Sequence, residues 1–247
     1  MNILITAGNT HAPVDRLKIL TNVFTGMTGA NLARTAYARG HRFTVLTSQP
    51  YTLFDLPDPS NDSERRAVVL PFQTFDELAT QLQQEVRSGQ YDCVIHAAAV
   101  SDYLSAGVYA LDSGTYFNAR TRQWERRDGP PSLVEQKDNK LVAEPELWLR
   151  LVRAPKLVDR FRSTWGFTGL LVNFVMEVGR ADTALIEAAE QSRERTGADL
   201  IVANTLEISA HLAYIGPIQG QYECVARREV AERLFLTVEQ MQRSRQS

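Results

Sequence analysis

The first 50 residues constrain the fold more than any other part of the chain. An apolar run, Ile3 to Ile5, leads into a long loop with two glycine-containing breaks, at 6–10 and 24–29. A helical stretch from Ala30 to Arg39 and a second strand from Phe43 to Thr47 follow. This order is typical of the strand–glycine loop–helix–strand unit of nucleotide-binding α/β folds. Because the loop is longer than in the compact dinucleotide fingerprint, we expect it to hold the chemistry.

The rest of the chain continues to alternate strands and helices. Further strands are predicted at Ala67–Leu70, Cys93–Val100, Leu147–Val152, Leu170–Met176, Asp199–Ala203 and Tyr222–Val225. Helices are predicted after Thr74, which has Glu77 in capping-box position, and at Pro155–Arg162, Thr183–Arg195 and Arg228–Gln242. The alternation predicts an α/β fold with a Rossmann-like, doubly wound, mostly parallel sheet. Ligands bind at the carboxyl ends of such strands, so Gly8–Thr10 and Ala99–Asp102 are expected along one rim.

One segment departs from this alternation. Tyr109 to Arg127 mixes aromatic and polar residues and is rich in arginine, which predicts a β-hairpin that projects as an arm over residues 107–128. We expect a single nucleotide-binding domain spanning residues 1–247, with this arm attached. Tyr116, Phe117 and Trp124 are expected to be exposed on the arm and to form a contact surface.

Composition excludes several classes of protein. With 44% apolar residues in 247 the chain can build a large core, and a net charge of −2 gives no reason to expect nucleic-acid binding. No apolar run is long enough to cross a membrane, and we expect no signal peptide. Cys93 and Cys224 form neither a metal motif nor a disulfide framework, which favours a cytoplasmic protein.

A series of short motifs resembles the phosphopantothenoylcysteine synthetase family, the phosphopantothenate–cysteine ligase part of the DNA/pantothenate metabolism flavoproteins. In chain order they are Thr6–Thr10, Val14–Arg16, Leu20–Asn22, Phe24–Gly29, Ala97–Tyr103, Pro155–Leu157, Asn173–Glu177, Asp199–Asn204 and Glu229–Ala231. Each motif is unspecific, and the resemblance rests on their order and spacing. The sequence differs from the family pattern at Asn9, Phe24 and Met27, and it keeps only Lys137 and Lys140 of a lysine-rich loop.

The resemblance implies a ligase of coenzyme A biosynthesis. Such an enzyme uses ATP or CTP with Mg²⁺ to convert 4'-phosphopantothenate into an acyl-nucleotide, which cysteine then attacks. It also implies a homodimer. The sequence distinguishes neither ATP from CTP nor whether a separate decarboxylase partner exists, and it assigns no metal ligands.

The resemblance also implies site residues. Asn22 is predicted to hold the acyl-nucleotide, and Lys140, with Lys137 as the alternative, to supply the catalytic cation. The predicted nucleotide- and substrate-binding residues are Gly8, Asn9, Thr10, Thr25, Gly26, Gly29, Ala99, Asp102, Phe174 and Asn204.

Simpler structural roles stay open for several of these residues. Asparagine is common in turns, so Asn22 could be a turn residue. Asp102 could equally be a helix cap or turn residue, and Phe174 a core residue.

Two other functions also stay open. A non-catalytic nucleotide-binding relative is the first. An NAD(P)-dependent reductase is the second, although the strand ending at Thr47-Ser48 lacks the carboxylate that binds ribose.

Overall fold

A computed structural model describes residues 1–56, 67–88, 90–136 and 144–246. The chain divides into two compact units. The first comprises Met1–Thr10, Val23–Val100 and Lys156–Ser247, and the second comprises His11–Asn22 and Ser101–Pro155. The prediction of one folding domain with an arm at 107–128 stays a prediction.

The described residues form fifteen strands and five α-helices. The strands are β1 (Asn2–Ala7), β2 (His11–Pro13), β3 (Ile19–Thr21), β4 (Arg42–Thr47), β5 (Ala67–Pro71), β6 (Cys93–His96), β7 (Tyr103–Leu111), β8 (Thr115–Asn118), β9 (Gln123–Arg126), β10 (Leu133–Glu135), β11 (Leu147–Arg153), β12 (Leu170–Glu177), β13 (Leu200–Thr205), β14 (Leu212–Ile218) and β15 (Gln221–Ala226). The helices are α1 (Met27–Ala38), α2 (Phe75–Arg87), α3 (Arg160–Ser163), α4 (Asp182–Thr196) and α5 (Val230–Gln246).

The first unit is built on an eight-stranded sheet with the order β15-β14-β13-β12-β6-β1-β4-β5. The strands from β5 to β13 pair in parallel, whereas β14 and β15 add an antiparallel edge. This confirms the predicted Rossmann-like, mostly parallel α/β fold. The prediction missed β14, whose Leu-Ala-Tyr-Ile-Gly-Pro-Ile sequence has a weak alternation that a proline interrupts.

Burial of the central strands on both faces explains their continuous apolar sequences. Ile3, Leu4 and Ile5 of β1 are all fully buried. On one face, α1 packs on β1 and β4 through its small residues, since Ala30, Ala33 and Ala36 are buried. The apolar residues predicted for α5, namely Val230, Leu234 and Val238, are also buried in this core.

Element ends differ from the prediction where a local interaction overrides periodicity. The Thr74–Glu77 capping box is confirmed at the start of α2. Helix α1 begins at Met27 rather than Ala30, because Gly26 adopts a left-handed conformation that ends the loop. Strand β6 ends at His96 rather than Val100. Of the helix predicted at 155–162, only α3 is α-helical.

In the second unit, β7 pairs with β10 and β11 in a three-stranded antiparallel sheet, and β2 pairs with β3 in a hairpin. The predicted hairpin is confirmed for β8 and β9, whereas Tyr109 belongs to β7. Phe117 and Trp124 are half-buried, because both pack against Trp148 with ring centroids 4.9 and 4.3 Å away. Tyr116 is exposed, as predicted.

Candidate functional site

The strand order of the large sheet reverses beside β1. From β1 the chain passes outward to β4 and β5 and then returns to β6 on the other side of β1. In open parallel sheets this reversal separates the loops that leave the two central strands and creates a crevice at their carboxyl ends. The loops after β1 and β6 therefore define the expected ligand-binding position.

Main-chain hydrogen bonds join these two loops. Ala99 N–H donates to the Gly8 carbonyl at 2.8 Å, and Thr10 N–H donates to the Ala99 carbonyl at 3.2 Å. Asn9 and Ala99 form a parallel bridge. The expected proximity of Gly8–Thr10 to Ala99 is therefore observed, within the first unit.

A buried polar pair lies directly beneath the loop after β6. Thr6 Oγ1 accepts a hydrogen bond from Ala98 N–H at 3.1 Å and lies 2.9 Å from His96 Nδ1. Burial lowers the pKa of His96 to about 4, so its imidazole is neutral at pH 7. Nδ1 of a neutral ring can accept a hydrogen bond from the Thr6 hydroxyl, whose oxygen lone pairs then accept the hydrogen bond from Ala98 N–H. This histidine therefore has a structural role.

The crevice contains a cavity of about 250 Å³. The residues that line it are Gly8, Phe24, Thr25, Gly26, Met27, Thr28, Gly29, Ala97, Ala98, Ala99, Phe174, Val175, Met176, Asn204, Ser209 and Arg227. Seven of them were predicted as binding residues from the sequence, namely Gly8, Thr25, Gly26, Gly29, Ala99, Phe174 and Asn204. Of the lining residues in the described part of the chain, Arg227 alone has a charged side chain.

The start of α1 faces this cavity through Gly26, Met27, Thr28 and Gly29. Gly26 caps the helix with φ of 77°, and it has no side chain that could accept a hydrogen bond from the first N–H groups. The first turn carries no acidic residue. Such a helix start offers N–H donors and the positive end of the helix dipole, which together favour an anion.

Gly29 has an additional reason to be glycine. A Cβ at this position would lie 2.2 Å from Ala7 Cβ and 2.9 Å from Ala7 Cα, so α1 could not approach β1 as closely. This glycine therefore sets helix–strand packing and thereby positions the helix start at the cavity.

Two predicted binding residues of the first unit, Asn9 and Thr10, are buried within the protein and do not line the cavity. Asn9 is 3% exposed, and its side-chain oxygen accepts hydrogen bonds from Ser48 Oγ at 3.3 Å and Gln49 Nε2 at 3.4 Å. Thr10 is fully buried. Neither residue lines the cavity, so any effect on a ligand passes through the shape of the loop.

Asn22 and Asp102 belong to the second unit. Asn22 is half-buried and directly follows β3. Asp102 is exposed before β7, and its backbone carbonyl accepts a hydrogen bond from Ala154 N–H at 2.8 Å. Lys140 and Lys137 lie outside the described residues.

Sequence reasoning missed Thr28, Ser209 and Arg227. Arg227 lies two residues before Glu229 of the Glu229–Ala231 motif, but an arginine at a strand–helix junction has no distinctive signal in a single sequence. Only the pairing of β15 beside β14 and the packing of α5 near α1 bring it to the cavity.

The first 110 residues match the family model described as the DNA/pantothenate metabolism flavoprotein C-terminal domain. The coenzyme A biosynthesis bifunctional protein CoaBC of Thermococcus kodakarensis is 28% identical over 244 residues. That alignment covers 97% of this chain but 51% of the relative, so the chain spans about half the length of that protein.

Solved structures share the whole fold. The DNA/pantothenate metabolism flavoprotein of Streptococcus pneumoniae has a TM-score of 0.72 at 24% identity, with 97% of each chain covered. A Cab2 variant in complex with phosphopantothenate-cysteine has a TM-score of 0.69 at 16% identity, with 98% of this chain and 86% of that chain covered.

The ordered motifs, the fold and these matches confirm the resemblance to the phosphopantothenoylcysteine synthetase family that was first noted in the sequence.

Proposed function

We propose that this protein is a ligase that joins 4'-phosphopantothenate to cysteine through an acyl-nucleotide, with ATP or CTP as the co-substrate. The single observation that carries the proposal is the cavity at the β1–β6 crevice. There the uncapped start of α1 and the Arg227 cation can bind phosphate groups. Phe174 and Asn204 add an aromatic ring and an amide to the same lining. The bifunctional relative and the Cab2 complex supply the substrate class.

The chemistry requires groups that stabilise charge on oxygen. In the first step the substrate carboxylate attacks the α-phosphorus of the nucleotide, and the bond to pyrophosphate breaks. In the second step the cysteine amine attacks the acyl carbon, and the nucleoside monophosphate leaves. Both steps place charge on phosphate or carbonyl oxygens, so positioned N–H donors and cations dominate the expected catalysis.

We assign Asn22 to the acyl-nucleotide and Lys140 to the departing pyrophosphate. An amide offers a donor and an acceptor without a charge to desolvate. A lysine ammonium on a flexible stem can follow the moving phosphate charge. Both assignments rest on the family motifs around these residues.

Mg²⁺ is the expected metal, and it would neutralise phosphate charge when bound. Sites of this kind hold Mg²⁺ through one or two carboxylates together with substrate phosphates and water. Over the described ranges, no group of three or more His, Cys, Asp or Glu side chains is placed to hold an ion. We therefore expect the ion to bind together with the triphosphate.

A reductase is the weaker alternative. In a dinucleotide site an acidic side chain follows the second parallel strand and binds the ribose. Here β4 is followed by Ser48, whose hydroxyl accepts a hydrogen bond from Asn9 N–H at 2.9 Å. The position that would select NAD is thus occupied by a residue that fixes the first loop.

The assay that tests the proposal is pyrophosphate release with each of the four common nucleoside triphosphates in Mg²⁺ buffer. Release should require phosphopantothenate, and amide formation should also require cysteine. Nucleotide binding without pyrophosphate from any of the four would reject the ligase and favour the non-catalytic relative.

We also propose a homodimer and a cytoplasmic location. Exposed Tyr116 and the half-buried aromatic cluster around Trp148 support a contact surface on the hairpin of β8 and β9. The cysteines are free thiols, with Cys93 buried and Cys224 exposed, which suits a reducing compartment. Among the described helices, none combines the length and the apolar character needed to cross a membrane.

A further inference from the structure

Arg227 occupies an unusual position for an arginine. It follows β15 at the start of a short 3-10 helix, Arg227–Glu229, and its side chain is half-buried against the cavity. One guanidinium nitrogen donates a hydrogen bond to the Thr28 hydroxyl. The guanidinium is therefore fixed at the first turn of α1.

The charge of Arg227 has no carboxylate partner in the described part of the chain. Other partly buried arginines, such as Arg39 and Arg162, form ion pairs with Glu239 and Asp199 at 2.7 Å. For Arg227 burial alone shifts the pKa, which it lowers from the usual range. Keeping a desolvated cation without a counter-ion costs stability, so a protein tolerates one mainly where an anionic ligand completes the pair.

The surroundings of this cation favour an anion. None of the described residues that line the cavity is acidic, and the uncapped start of α1 adds its N–H donors beside Thr28. A guanidinium and a helix start that converge on one concave surface match a phosphate group, which accepts several charge-assisted hydrogen bonds at once.

We infer that Arg227 is a phosphate-binding residue of the cavity, held in place by Thr28. This inference rests on the proposed function for the identity of the ligand. The phosphate comes from one of two sources, the triphosphate of the nucleotide or the phosphate ester of phosphopantothenate. Binding experiments can separate the two because each substrate can be titrated alone.

The chain offers a matched control at the next position. Arg228 carries the same charge, but its side chain is 86% exposed and pairs with Glu229 at 3.4 Å. Arg227→Gln and Arg228→Gln therefore change the net charge equally. Only the first removes a cation from the cavity lining that contains the start of α1.

Calorimetric titration of ATP, CTP and phosphopantothenate into both variants tests the inference. Arg227→Gln should weaken one of the two phosphate sources roughly 10- to 100-fold, the usual effect of losing a hydrogen-bonded charge. Arg228→Gln should bind both as wild type does. Loss of nucleotide affinity assigns Arg227 to the triphosphate, and loss of phosphopantothenate affinity assigns it to the phosphate ester.

Thermal unfolding of the unliganded proteins separates binding from a structural role. Arg227→Gln should melt at or above the wild-type temperature, because it removes a half-buried charge that has no carboxylate partner among the described residues. Unchanged affinity for all three ligands would overturn the inference. If the melting temperature also fell, Arg227 would have a structural role only. Arg227→Lys, which keeps the charge, should recover part of the affinity and covers the case in which the glutamine variant fails to fold.

The outcome is independent of turnover. A wild-type protein that binds a triphosphate through Arg227 but releases no pyrophosphate would reject the ligase and retain the inference. Full ligase activity with normal substrate affinities in Arg227→Gln would support the ligase and reject the inference about Arg227.

Discussion

Thr6 and His96 show how residues outside the cavity set its shape. The Thr6 hydroxyl connects the His96 ring to the Ala98 amide, so the loop after β6 has a fixed main-chain conformation. The arrangement depends on a neutral imidazole, since a charged ring buried beside apolar strands would have no counter-ion. Protonation of His96 is therefore coupled to stability.

The free energy of unfolding should fall as the pH is lowered from about 6.5 to 4. The His96 pKa is 6.5 in the unfolded chain and about 4 when folded, so between these values the unfolded state binds the extra proton. Stability is fully present above pH 6.5 and declines by up to ~1.4 kcal/mol per pH unit within this window.

Urea unfolding at pH 7 and pH 5 measures this effect. In His96→Gln, where the side chain no longer titrates, the same pH change should cost clearly less. Equal pH dependence in wild type and variant would show that other groups cause the acid sensitivity.

Asn22→Asp tests the assignment of the acyl-nucleotide. A carboxylate at this position should repel the activated phosphate and impair formation or retention of the intermediate. The substitution keeps the size of the side chain at a half-buried loop position, so the melting temperature should change little. Rapid-quench detection of the acyl-nucleotide measures the effect, and wild-type kinetics would identify Asn22 as a turn residue only.

Lys140→Ala tests the assignment of the catalytic cation, which rests on sequence alone. Charge on the departing pyrophosphate is greatest in the transition state, so turnover should fall on the order of 100-fold while nucleotide affinity changes little. Lys137→Ala is the matched control and should have a milder effect. If Lys137→Ala is the inactive variant instead, the family's loop aligns with this chain three residues earlier.

At the scale of elements, the approach of α1 to β1 connects core packing to the candidate site. Gly29→Ala would place a methyl group 2.2 Å from Ala7 Cβ, so the helix start must move. We expect a loss of about 1–3 kcal/mol in the free energy of unfolding, together with weaker nucleotide binding. Denaturant unfolding and calorimetry measure the two effects.

Asn31→Ala provides the comparison within the same helix. Asn31 is exposed, and its side-chain oxygen accepts a 3.2 Å hydrogen bond from Arg34 at the surface. Its replacement should change stability by no more than about 0.5 kcal/mol. Similar changes in both variants would show that the contact with Ala7 does not control this element, because alanine raises helix propensity at both positions.

The sequence predicts best those elements whose buried residues form a continuous or periodic apolar pattern. Strand β1 and helix α5 have continuous or periodic apolar residues, and α2 carries a capping box, so local pattern and tertiary role agree. Strand β14 and the short pair β2 and β3 were missed, because their pairing depends on neighbours distant in sequence or on a hairpin within a loop.

The same distinction applies to the candidate site. The position of Gly8 and Gly26 at the site could be predicted, because glycine-containing breaks near a strand end and a helix start are visible in the sequence. Asn9 was predicted as a binding residue, but its contacts with Ser48 and Gln49 depend on the loop after β4, which a linear pattern does not encode. Arg227 reaches the cavity only because it follows the antiparallel edge of the sheet, and no sequence motif predicts that position.

At the scale of the whole molecule, the hairpin of β8 and β9 is the expected contact region of a dimer. An isolated two-stranded hairpin is marginal in water, and here Phe117 and Trp124 pack with Trp148 while Tyr116 stays exposed. Replacing residues 115–126 by a short turn should shift the light-scattering mass from dimer towards monomer.

Tyr116→Ser is the milder companion variant, since it removes one exposed ring and retains the hairpin. It should weaken the dimer without abolishing it. A dimer of unchanged mass after removal of the hairpin would locate the interface elsewhere on the protein.

The most direct test of the central claim is a rapid-quench measurement of the first half-reaction. Enzyme is mixed with phosphopantothenate, Mg²⁺ and either ATP or CTP, without cysteine. An acyl-nucleotide ligase should release about one pyrophosphate per active site in a burst, and cysteine added afterwards should convert the bound acyl group into the amide. A burst that needs no phosphopantothenate, or no burst with either nucleotide, would contradict the account.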